Sequence, residues 1–168
     1  MQRHNFGAIA MLDIQFHVTL PDGRSAPETD LPTDGKAAEA MIGDFSGASG
    51  AIVITRDDGT RTVFADTLRI LVPTFCLGGL AELVRDGQKS VDCYDHEETA
   101  RLIVRDGMVI VSGDQIETRA LPLVDYVAAQ KACGERYVSL ARRIWQGVPE
   151  RAGSLAMLVD GLAKASAL

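Results

Sequence analysis

The chain has 168 residues, close to the usual size of one domain, and a chain of that length buries roughly 70% of the surface its unfolded form exposes. Apolar residues make up 46% and charged residues 24%, which excludes a disordered chain, while only 5% are aromatic, so an aliphatic core is expected. Its 17 basic and 23 acidic residues give a net charge of −6, which opposes binding to nucleic acid or to an anionic membrane, since both require a basic footprint.

Residues 1–10 (MQRHNFGAIA) contain no apolar run long enough for a signal peptide and read as a flexible extension of a single domain, 1–168. No later segment approaches about 18 consecutive apolar residues, so no membrane span is expected. The cysteines Cys76, Cys93 and Cys133 are odd in number and widely spaced. That pattern suits buried reduced thiols and a cytoplasmic location better than a zinc site or a disulfide framework.

From Leu12 to Leu20 apolar and polar residues alternate, the pattern of a strand with one face in the core. His17 falls on its polar face, as a surface side chain. Pro21-Asp22-Gly23 ends the strand with turn chemistry. Residues 21–35 hold three prolines and read as a loop, and a short helix is expected from Lys36 to Phe45. Asp22–Asp44 carries six acids against two bases and reads as a solvated acidic segment. Ala51–Thr55 and Thr62–Phe64 flank Asp57-Asp58-Gly59-Thr60, a hairpin signal. Pro73 and Thr74 are expected to open a helix with Leu77, Leu80, Ala81 and Val84 on one side, stopping at Gly87.

Ser90–Trp145 is the organising block. It reads as three or four short strands (SVDCYD, TARLIV, MVIVS, QIETR) joined by turns at Arg105-Asp106-Gly107 and Ser112-Gly113-Asp114. A long amphipathic helix follows near residues 122–146. Its apolar stripe is expected to hold Leu123, Val127, Tyr137, Ala141 and Ile144, widened by Val124, Val138 and Trp145, with Lys131, Glu135, Arg136, Arg142 and Arg143 on the other side. Gly134 within it implies a kink or a close approach to the sheet. After Gly147-Val148-Pro149 a short C-terminal helix is expected, with Leu155, Leu158, Val159 and Leu162 as an apolar edge against the long helix or a second copy. The fold class is therefore α+β: a mainly antiparallel sheet of about six strands packed against the long helix.

One stretch is chemically dense. Asp92–Glu98 (DCYDHEE) holds four carboxylates, a thiol, a phenol and an imidazole. Asp92, Tyr94, His96 and Glu98 would share one face of a strand as metal ligands, but no second segment offers matching His or Asp residues. The alternatives are a solvated strand end and a partner-facing acidic patch of Asp92, Asp95, His96, Glu97 and Glu98. No nucleophile elbow, phosphate-cradling glycine loop or calcium loop occurs, and Cys76 and Cys93 stand in apolar or acidic settings that make a thiol a poor nucleophile. No catalytic residue, metal or cofactor is assigned.

GDQIETRALPLVDYVAAQKACGERYVSLARRIW places a GDxIxT-type strand before a helix of the LxxYVxAxxxxxxRYxxL type. This layout, over residues 88–146, resembles that of small immunity proteins from bacterial polymorphic-toxin and contact-dependent inhibition systems. The resemblance implies stoichiometric binding of a cognate toxin domain, with no catalysis and no cofactor, and carries over no functional residue. An acidic surface would speed encounter with a basic partner. The alternatives are a small-molecule-binding or enzymatic domain, and a homodimer joined through the C-terminal helix.

Overall fold

The computed structural model describes residues 12–94 and 97–168. The expected N-terminal extension, residues 1–10, lies outside them.

Among the described residues eight strands form two antiparallel sheets in place of one sheet of about six. In the first, the order is β2 (Ser25–Pro27), β1 (Asp13–Thr19), β3 (Ser49–Thr55) and β4 (Arg61–Thr67). In the second, β5 (Gln88–Cys93), β6 (Glu98–Arg105), β7 (Met108–Ser112) and β8 (Arg119–Pro122) follow one another as a meander. The alternation read from Leu12 to Leu20 is realised in β1, where Ile14, Phe16 and Val18 face the core opposite Ile54, Ile52 and Gly50 of β3. In the second sheet the register buries Val109 and Val111 rather than Met108 and Ile110, and sets them beside Val104 and Leu102. The Asp106-Gly107 turn has positive φ at both residues (51° and 74°), the geometry that matches the twist of a two-residue hairpin.

The helices cover the inner faces. α1 (Gly35–Ile42) begins where the Asp34 carboxylate accepts the Ala37 N–H at 2.8 Å, so it starts and ends earlier than the expected Lys36–Phe45. Pro73 does not open a helix. It lies inside α2 (Leu68–Cys76), where Leu68, Leu71, Val72 and Phe75 form the buried i, i+3, i+4, i+7 stripe. The chain breaks at Leu77 and resumes as α3 (Gly78–Asp86). A side chain at Gly79 would stand 2.0 Å from the Thr74 carbonyl oxygen, so this tight junction needs glycine.

The long helix, α4 (Leu123–Ile144), is about 33 Å long at 1.5 Å per residue, and it packs on β1 as well as on β7 and β8, bridging the two sheets. Tyr137, Ala141 and Ile144 face the core as expected. Val127 is only partly buried and Val124 is 80% exposed; Tyr126, Gln130 and Cys133 complete the buried stripe instead. Gly134 does provide a close approach, but to the end of α2: a Cβ there would lie 2.7 Å from Leu77 and 2.9 Å from the Cys76 carbonyl oxygen.

α5 (Ala152–Ser166) packs on α4, α3 and α2. Leu158 is buried, and Leu155, Val159 and Leu162 pack against the same core, so the apolar edge considered for a homodimer is turned onto the chain's own helices. One contiguous buried cluster draws on both sheets and all five helices. Among the described residues no helix is long and apolar enough to cross a membrane.

Candidate functional site

The tip of the β5–β6 hairpin carries the acidic stretch singled out in the sequence, and the fold divides its residues. Asp95 and His96 lie outside the described residues. Asp92 is exposed on the outer face of β5, where its carboxylate accepts the Thr99 hydroxyl at 2.9 Å. Glu97 is exposed in the turn with φ at +49°, a region that non-glycine residues seldom occupy.

Glu98 behaves differently. It pairs with Cys93 on the inner face and is only 8% exposed, and its two carboxylate oxygens accept the backbone N–H groups of Asp114 and Gln115. This also explains why the last strand is displaced from the expected QIETR to Arg119–Pro122, sharing only Arg119 with it. The chain after β7 wraps around the Glu98 carboxylate instead of continuing the ladder, and pairing resumes only at Arg119. The residues thought to share one face as metal ligands are thus separated, with Glu98 on the face opposite Asp92. Among the described residues no three His, Cys, Asp or Glu side chains are grouped to hold a metal ion.

Tyr94 follows β5 directly and is 76% exposed, whereas Tyr126 and Tyr137 are buried. Its backbone is nevertheless fixed. The Tyr94 N–H donates to Asp66 at 2.9 Å, and the other oxygen of that buried carboxylate accepts the Thr67 N–H at 2.6 Å. Asp66 therefore ties the end of the first sheet to the tip of the second. Tyr94 is thus an exposed aromatic side chain near the exposed Asp92 and Glu97 in sequence, on a backbone tied to Asp66, while Glu98 at the start of β6 holds the chain after β7. β5 forms an edge of its sheet, and Ile103 is exposed on the outer face of β6 opposite Gln88, at the other end of β5 from Tyr94. Such a surface can engage a partner through an exposed aromatic side chain and complementary charge.

Two further polar constellations escaped the sequence reading. Arg136, placed on the solvent side of α4, reaches back to donate two bonds to Glu28 (2.8 and 2.9 Å) and one to the Ile14 carbonyl (2.7 Å). Burial raises the Glu28 pKa, an effect the Arg136 guanidinium opposes, and the pair floors a groove of about 470 Å³ between α4 and the loop after β2. In the core, the Cys76 thiol donates to Gln130 at 2.9 Å and Gln130 donates to the Tyr126 hydroxyl at 3.0 Å. Burial and the neighbouring Cys133 thiol push the Cys76 pKa well up, which keeps it an unreactive thiol. No spacing rule links Glu28 to Arg136 or Cys76 to Gln130, so only the folded topology reveals either.

No family model, curated protein or solved structure matches this chain.

Proposed function

We propose that the chain is a binding protein that neutralises a cognate toxin domain by stoichiometric complex formation in the cytoplasm, with the β5–β6 tip as its binding surface. The observation that carries this reading is Tyr94, an exposed tyrosine whose backbone N–H is bonded to the buried Asp66, in a hairpin end that also exposes Asp92 and Glu97. A backbone already bonded to Asp66 has less freedom to lose on association. The net charge of −6 suits a partner with a basic surface. The resemblance of residues 88–146 to immunity proteins supplies the kind of partner. Of the five residues considered for the patch, Asp92 and Glu97 fit a contact role, while Glu98 fits a supporting one, because its carboxylate is already bonded to two N–H groups.

The test is co-expression with the product of the adjoining reading frame, which this proposal expects to carry the toxic domain. Wild type restores growth and co-purifies with the domain at one to one; a Tyr94→Ala, Asp92→Lys, Glu97→Lys variant does neither, although it folds. A triple variant that protects as well as wild type would remove the tip from the account. Failure of the wild type to bind the domain would remove the toxin.

A further inference from the structure

A cavity of about 240 Å³ opens between α2, α4 and the start of α5, on the side of the molecule that covers the first sheet. Arg69 and Arg151 reach it from two different helices, Ser154 joins them from the first turn of α5, and Pro73, Trp145 and Met157 supply apolar wall. Neither arginine forms an ion pair with a carboxylate among the described residues. Arg151 instead lies over the Trp145 ring, 5.9 Å from its centroid. Asp44 is the nearby acid, and it is engaged by Ser46, whose hydroxyl and N–H donate to it at 2.7 and 3.1 Å.

The decisive feature is Tyr137, which is 1% exposed and wedged between Phe16 and Phe45, with ring centroids at 5.3 and 5.2 Å. Its hydroxyl has no hydrogen-bond partner among the described residues, whereas every fully enclosed side-chain oxygen or nitrogen among them has one. Since Tyr137 lines the cavity, that hydroxyl must open onto it. The hydroxyl is therefore free to bond a molecule that enters the cavity, in exchange for water.

We infer that this cavity binds a small organic phosphate monoester. Two guanidinium groups without carboxylate partners match the double negative charge of such a headgroup, and the planar fork of arginine suits its oxygens. The hydroxyls of Tyr137 and Ser154 are two more donors for the same oxygens. The esterified group lies against Trp145, Pro73 and Met157. At about 240 Å³ the cavity lies just below the roughly 300–1,000 Å³ of ordinary small-molecule pockets, which favours an ester of about one ring. The site is separate from the β5–β6 tip and stands or falls independently of it.

Calorimetric titration of the full chain with phenyl phosphate, inorganic phosphate, benzoate and benzyl alcohol tests it. Phenyl phosphate binds at millimolar concentrations or below and the other three bind more weakly. Arg69→Gln and Arg151→Gln each loosen phenyl phosphate about tenfold, as expected for a lost charge-assisted bond. Tyr137→Phe loosens it several-fold while leaving the melting midpoint of the free protein unchanged or higher, because the hydroxyl has no partner among the described residues to lose. Inorganic phosphate binding as tightly as the ester would overturn the apolar subsite, and benzoate binding as tightly would overturn the phosphate assignment. No binding of phenyl phosphate, or binding indifferent to both arginine changes, would overturn the site.

Discussion

The two sheets are built alike and packed differently. The first is locked to its helices by rings: Phe64 stacks on Phe75 at 4.8 Å, Phe16 meets Tyr137 edge-on, and Phe45 contacts both Tyr137 and Trp145. The second buries Val91, Ala100, Leu102, Val109, Val111 and Leu121, which are aliphatic and small to medium in size. Few as the aromatic residues are, most are concentrated over one sheet, while Tyr94 of the other is turned outward. The first sheet is anchored by rings, and the second carries the surface proposed for recognition, with backbone N–H groups held by the carboxylates of Asp66 and Glu98.

Truncation should expose that asymmetry. Phe16→Ala is expected to cost about 3–5 kcal/mol and Val111→Ala about 2 kcal/mol, because the ring leaves the larger void. Equal midpoint shifts in chemical denaturation of the two variants would break the comparison. At the tip, Glu98→Ala is expected to cost about 1–3 kcal/mol by stripping two backbone N–H groups of their acceptor. Asp92→Ala and Glu97→Ala should stay within about 0.5 kcal/mol of wild type. Hydrogen exchange at Asp114 and Gln115 should quicken in Glu98→Ala and remain unchanged in the other two; protection that persists without Glu98 would contradict its anchoring role.

The smallest effect expected is one of pH on the first sheet. His17 is half-buried on the outer face of β1, its Nδ1 3.2 Å from the Ser25 hydroxyl. Burial, and then the nearby Arg61 charge, hold its pKa below the ordinary 6.5. The unfolded chain therefore takes up the proton first as pH falls. His17 contributes stability that is present above pH 6.5 and lost as the pH drops from there through the lowered folded value. His17→Gln should flatten that part of the stability profile, and an unchanged slope would mean that the imidazole is as free in the fold as in the unfolded chain.

Local pattern was enough to place most of the elements. The alternation of β1, the Asp-Gly hairpins and the stripe of α4 around Tyr137 and Ile144 all express backbone periodicity, which residues a few positions apart encode. The departures have long-range causes. Pro73 looked like a helix start because proline suits the first turn, yet the Leu68–Phe75 stripe outweighs the single backbone bond it forfeits. QIETR alternates like a strand, but the Glu98 carboxylate, sixteen residues before Asp114, captures the N–H groups that would have paired. Nothing local distinguishes Glu98 from Glu97. The site was half legible for the same reason: DCYDHEE stood out by composition, whereas which of its carboxylates faces inward depends on strand register, and Tyr94 gained its prominence only once Asp66 was seen to anchor it from 28 residues away.

The most direct test of the account is the association rate of the Tyr94→Ala, Asp92→Lys, Glu97→Lys variant with the toxic domain, measured beside its denaturation midpoint. The account predicts a midpoint within about 0.5 kcal/mol of wild type and association slower by about tenfold or more at low salt. Wild-type association by a fully folded variant would contradict it.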